Sequence, residues 1–324
     1  MSRKIGAGLV GLGVFLIVAA ALMRFYAYPA MATVPTNYDS TTELEAKGAQ
    51  VFNSDPSILA PEVVDLAIHS RTVADSRSDL PDDVVVWHNS VTIERGDGSV
   101  FQQSRERVAF DPVTAEAVDC EECDVWSEEA EGERVSIQPE GLVYKFPFNT
   151  EKKDYEQWDD TLGAATPIEY EGETTIDGLT VYTFVQTIEP TQVGTMEVPG
   201  SILGADEDSV EGEVWYGMKR TFQIEPVTGA PIDRVEERMQ ELRYDGVSVP
   251  LFTGTVEYTD DQVADVADEA GSNATMLGGM RMLFPLLALL LGIAALAGGL
   301  FLTRGSGGPK KGAEHAKSRD MVDA

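Results

Sequence analysis

Apolar residues follow two patterns along this chain. Residues 5–23 and 283–302 form two uncharged, mostly apolar runs. At about 1.5 Å of rise per residue each run reaches roughly 30 Å, the thickness of a bilayer's hydrocarbon core. Two membrane-spanning helices are therefore expected. Pro285, Gly292, Gly298 and Gly299 in the second run do not oppose this, because membrane helices tolerate both residue types.

Between the runs the period changes to two. Val64, Leu66 and Ile68 alternate with Asp65, Ala67 and His69, as in a half-buried strand. Further extended runs cover 84–93, 99–110, 170–176, 179–188, 235–244 and 247–258. Asp97-Gly98, Asp177-Gly178 and Asp245-Gly246 each separate two such runs. Asp-Gly in that position is a strong hairpin signal, and three of them predict an antiparallel meander. The expected fold is mainly β: an antiparallel β-barrel or sandwich-like domain held between N- and C-terminal transmembrane helices. Before it, residues 34–53 read as a polar stalk with a short helix at 42–51. After it, Thr259-Asp260-Asp261-Gln262 forms a capping box. It opens a short amphipathic helix on Val263, Val266, Ala267 and Ala270, which Gly271 can end. One sequence occurs twice: residues 110–119, opening Phe110-Asp111-Pro112-Val113-Thr114-Ala115, parallel residues 224–233, opening Ile224-Glu225-Pro226-Val227-Thr228-Gly229. Duplication of a β-unit and repeated use of one good turn both account for this echo.

Charge adds topology. The 324 residues carry 24 Lys+Arg against 55 Asp+Glu, a net charge of −31. Such a surface repels phosphate backbones and excludes general nucleic-acid binding. Only Glu314, Asp320 and Asp323 among the acids lie outside 24–281. Arg3 and Lys4 precede the first run; Arg304, Lys310, Lys311, Lys317 and Arg319 follow the second. The positive-inside rule places the 1–4 and 303–324 tails in the cytoplasm and residues 24–281 outside the plasma membrane. Ala30-Met31-Ala32 has the small-x-small form of a signal cleavage site, but it lies well past Met23. Arg24, Phe25, Tyr26 and Tyr28 suit an interfacial anchor, so the first span is expected to stay. Ala7/Gly11, Ala294/Gly298 and Ala295/Gly299 would permit close helix contact, although small residues are common in such helices.

Candidate chemistry is sparse. Cys120 and Cys123 flank two glutamates, and a disulfide is expected outside the membrane. No second Cys-x-x-Cys or His pair completes a zinc site. His69 and His88 fall in extended runs, His315 in the basic tail. No metalloprotease, hydrolase, nucleotide or dinucleotide motif occurs, so no catalytic, metal or cofactor residue is assigned and no enzyme is expected. Arg95-Gly96-Asp97 reads as a hairpin tip. Tyr144, Phe146 and Phe148 alternate, with Trp158 close behind. Such a row either lines an apolar lipid cavity or makes ordinary β-core.

Several stretches resemble one family. They are Gly11-Leu12-Gly13-Val14-Phe15-Leu16, Arg107-Val108-Ala109-Phe110-Asp111, Tyr144-Lys145-Phe146-Pro147-Phe148-Asn149-Thr150-Glu151-Lys152-Lys153, Val198-Pro199-Gly200-Ser201-Ile202-Leu203-Gly204 and Ile224-Glu225-Pro226-Val227-Thr228-Gly229. Together they are similar to an actinobacterial two-pass membrane-protein family, a domain of unknown function labelled the porin PorA family. The resemblance covers nearly the whole chain. It implies a cell-envelope protein with its β-rich domain facing the cell wall, and it carries over no catalytic residue. The two-anchor plan is also analogous to class B scavenger receptors, whose ectodomains carry lipid. The first functional expectation is thus a non-enzymatic protein that binds or passes a lipid or lipoglycan intermediate. The second is a scaffold for envelope-assembly membrane proteins. A porin or channel comes third, because two helical spans alone enclose no pore and the strands lack a lipid-facing pattern.

Overall fold

The computed structural model describes residues 2–304 except 78–79, 82 and 129–131. The basic tail, with His315, lies outside the described residues. The chain divides into a helical unit, drawn from residues up to Ala30 and from Gly278 onward, and a sheet unit spanning Met31–Leu277.

The helical unit contains α1 (Ser2–Leu22), the start of α2 (Tyr28–Met31) and α4 (Phe284–Arg304). One π-helical turn, Met23–Ala27, separates α1 from α2, and another, Gly279–Leu283, precedes α4. Both expected spans are present as helices long and apolar enough to cross a membrane. They pack on each other through glycine. A Cβ on Gly13 would lie 2.7 Å from the Gly292 carbonyl oxygen, and one on Gly299 would lie 2.7 Å from the Gly6 carbonyl oxygen. Buried Ala20 and Pro285 extend the two rows. The contact thus repeats every seven residues, the period of a coiled helix seam, rather than every four. Of the glycines in the small-residue pairs that would permit such contact, Gly299 takes part, whereas Cβ atoms on Gly11 or Gly298 would meet nothing within 4 Å.

The sheet unit is a single 12-stranded antiparallel sheet. Its first wing contains β1 (Asp39–Asn53), β2 (Ala60–Ala74), β3 (Val85–Arg95), β4 (Val100–Phe110), β5 (Trp126–Glu128) and β6 (Arg134–Ser136). Its second wing contains β7 (Tyr155–Asp159), β8 (Ala164–Ile176), β9 (Leu179–Pro199), β10 (Ser209–Glu225), β11 (Ala230–Tyr244) and β12 (Val247–Tyr258). Each strand pairs with its chain neighbour, except that β1 also pairs with β12 to join the wings; β6 and β7 are the outer strands. All three Asp-Gly hairpins form. At Asp177-Gly178 and Asp245-Gly246 both φ angles are positive, as a two-residue turn with the strand twist requires. At Asp97-Gly98 only the glycine is positive, and Asp97 instead accepts the Ser99 amide at 2.9 Å.

Two expectations fail. Residues 34–53 are not a polar stalk with a helix at 42–51; residues 39–53 form β1, bonded to β2 on one side and β12 on the other, with Leu44, Ala46, Ala49 and Val51 in the core. Those ladders outweigh the helix propensity of Leu44, Ala46 and Lys47. The amphipathic helix α3 (Asp260–Gly278) begins at the capping box, where the Gln262 amide reaches Thr259 Oγ1 at 3.2 Å. It does not stop at Gly271, which packs against the Leu179 side chain.

The echoed turns adopt the same structure. Asp111 Oδ1 accepts the Val113 and Thr114 amides; Glu225 accepts the Val227 and Thr228 amides. Each turn ends on a residue of positive φ, Ala115 (61°) and Gly229 (71°). Each follows the fourth strand of its wing.

Candidate functional site

Residues 142–150, whose alternating aromatics suit either a cavity lining or ordinary β-core, are clamped between those two turns. The Val143 and Phe148 amides donate to Ala115 and Val113 of the first turn. The Phe146, Asn149 and Thr150 amides donate to Gly229, Val227 and Pro226 of the second. Positive φ at Tyr144 (57°) and Asn149 (58°) breaks the extended backbone. The alternating aromatics therefore part company. Tyr144 and Phe148, with Trp158, pack on the first-wing cluster of Val34, Val85, Trp87, Val108, Phe110 and Val143. Phe146 is 1% exposed in the second-wing cluster, its ring 4.5 Å from Phe184 and 5.9 Å from Phe222. Backbone bridges continue from Leu142 to Gln157, so β4 and β7 are linked at this level through two short segments.

Beyond that bridge the outer strands β6 and β7 are not paired with each other among the described residues, and a pocket opens at the seam. It has a volume of about 250 Å³ and is lined by Ser127, Ile137, Gln138, Trp158, Asp160 and Gly163. Trp158 rests on the aromatic cluster, and its buried indole Nε1 has no hydrogen-bond acceptor among the described residues. The Glu106 carboxyl lies near Tyr144 and Asp160. Burial raises it to about 7, the Asp160 charge adds to the rise, and the Tyr144 hydroxyl opposes it. Burial, then Glu106, pushes the Tyr144 hydroxyl well above its usual range.

A second polar group lies buried among β7, β9, β10 and β11. Arg220 Nε donates to Glu236 at 2.7 Å and Nη1 to Gln186 at 2.8 Å, while Nη2 pairs with Asp159 at 3.4 Å. The Tyr216 hydroxyl donates to Asp159 at 3.1 Å. Burial opposes ionisation of Glu236, but Arg220 and Arg234 prevail and hold it down at about 2. For Asp159 burial prevails over Arg220, and its carboxyl is raised. This network ties four strands together and offers no open face.

Cys120 and Cys123 are disulfide-bonded, with Cα atoms 5.3 Å apart. Arg107 Nε donates to the Cys123 carbonyl at 2.8 Å and Nη1 to Asp75 at 2.6 Å, fixing this loop to β4. His69 pairs with Glu43, and His88 sits edge-on to Trp126. Arg95 pairs with Glu62 and covers Phe101, so the hairpin-tip tripeptide is held structurally. Among the described residues no three His, Cys, Asp or Glu side chains are grouped to hold a metal ion.

Sequence reasoning identified Trp158 but not its pocket neighbours, which come from segments far apart in the chain. Nor did it find the Arg220 network. The one available signal was the arginine at 220, unexpected at an inward position between Met218 and Phe222.

A family model described as Porin PorA matches residues 5–301. A "Porin PorA" of Corynebacterium amycolatum is 24% identical over 298 residues, covering 73% of this chain and 77% of the relative. A "Porin PorA" of Corynebacterium resistens is 23% identical over 285 residues, covering 76% and 68%.

Proposed function

The chain belongs to the Porin PorA family, and from that premise we propose a non-enzymatic cell-envelope protein that binds a lipid or lipoglycan intermediate through its sheet unit. In this reading α1 and α4 anchor it in the plasma membrane with both tails in the cytoplasm. The supporting observation is the uniform character of the spans. Residues 5–22 contain no polar side chain, and within 284–304 only Thr303 and the terminal Arg304 are polar. Their backbones meet at glycine, leaving no room for a water path between them. An aqueous pore needs a hydrophilic lining. Ligand handling therefore falls to the sheet unit, whose acidic surface favours an uncharged or sugar-headed lipid over an anionic one.

The names of the relatives favour a second reading, a pore. It would require several copies to surround a path that one copy lacks. Native mass spectrometry of the detergent-purified full chain separates the two. Protein carrying stoichiometric lipid supports the binding reading. Bare protein that conducts ions in a planar bilayer overturns it in favour of the pore.

A further inference from the structure

We infer that the seam pocket is a site for an uncharged sugar ring, the head group of the lipoglycan in the reading above, on which this inference rests. The pocket lies between β5 and the residues just after β6 on one side and the end of β7 with the residues after it on the other. At about 250 Å³ it falls below the roughly 300–1,000 Å³ of sites for larger ligands. That volume suits one ring and is too small for a long acyl chain. Its lining combines a flat apolar surface with separated polar groups. Trp158 and Ile137 supply the apolar wall; Asp160, Gln138 and Ser127 supply a carboxylate, an amide and a hydroxyl. Pyranoses present the matching surfaces, an apolar C–H face and a rim of hydroxyls that both donate and accept.

Two features set the ligand's charge and orientation. Asp160 lines the pocket and Glu106 lies close enough to feel its charge, so phosphate and carboxylate head groups are repelled. Trp158, packed from behind by the aromatic cluster, is held in place as the apolar wall against which one face of the ring lies. The acyl part of the ligand lies outside this pocket.

Saturation-transfer NMR on the nanodisc-reconstituted full chain tests the site, with methyl glucopyranoside, mannopyranoside and galactopyranoside as probes. Saturable transfer to the ring protons of at least one probe is expected, weakened about tenfold or more in both Trp158→Ala and Asp160→Ala. Asp160 is exposed, so its variant keeps the test meaningful if Trp158→Ala fails to fold. No saturable transfer from any of the three probes overturns the inference, as does unchanged binding in Asp160→Ala together with a folded Trp158→Ala. Lipid co-purification on the same samples keeps the two readings apart. Lipid-bearing protein that ignores all three glycosides sinks this site alone. Bare protein that binds them supports the site and counts against the lipid reading.

Discussion

Gly229 and Phe146 meet backbone to backbone: the Phe146 amide donates to the Gly229 carbonyl at 2.9 Å, and a Cβ on Gly229 would overlap the Phe146 carbonyl oxygen. The glycine also holds a φ of 71°, which side-chain-bearing residues rarely adopt. Gly229→Ala is expected to cost about 2–4 kcal/mol through clash and strain. Gly246→Ala has a similar φ but open space, and should cost about 1 kcal/mol. Urea titration followed by circular dichroism checks both; equal losses would remove the special role of the 142–150 contact.

Glu106 gives the domain an unusual pH response. Its folded pKa is raised from 4.5 to about 7, chiefly by burial. The folded state therefore holds a proton that the unfolded state has released, and the associated stability is lost as pH rises from about 4.5 through 7. Subtracting the Glu106→Gln profile from that of the wild type isolates this group. The wild type should lose on the order of 2–3 kcal/mol relative to the variant across that window. Parallel profiles would refute the assignment.

Arg220 neutralises two buried carboxylates, Glu236 and Asp159. Arg220→Ala strands both and should cost about 3–5 kcal/mol. Adding Glu236→Gln should restore part of that loss, because one orphaned charge disappears. A double-mutant cycle measures it; strictly additive losses would mean the pair is not coupled.

In the helical unit, Gly13→Leu should separate α1 from α4 and lower the melting temperature in detergent by about 5 °C or more. Gly11→Leu faces open space and should change little. Equal effects of the two leucines would place the helix contact elsewhere.

Topology can be read in intact cells. A cysteine replacing Ser306 should resist membrane-impermeant maleimide until the cells are permeabilised, as the positive-inside rule requires. Immediate labelling from outside would reverse the proposed orientation.

The parts legible in the sequence are those whose cause is local. Each Asp-Gly pair carries its turn within a few residues, and the capping box starts its helix at Thr259. The spans were legible because a bilayer demands an unbroken apolar run. The rest depends on remote partners. Residues 42–51 look helical until β2 and β12 claim both edges. Tyr144, Phe146 and Phe148 alternate like a strand, yet the segment bends twice and sends them to different cores. The glycine seam was missed because its seven-residue period was sought at four. Trp158 was visible as an aromatic residue, but the Ser127 and Gln138 beside it share no local pattern with it.

The joining of the wings sets the order of assembly. Strands β2 to β6 each find a partner that has just been synthesised, so the first wing can zip together from local hairpins. One edge of β1 cannot pair until β12 has been made, immediately before α3 and the second span. Closing that distant pair is the slow, high-contact-order step, and the nascent first wing waits with a sticky margin exposed. β1 is suited to the wait. Glu43, Glu45 and Lys47 charge the strand, and on the edge that faces β12 the register shifts between Glu45 and Gln50, interrupting that ladder. Charge and an interrupted ladder are the features that make an open strand edge a poor template for another chain, and here they sit on the one strand of the first wing whose second partner comes last.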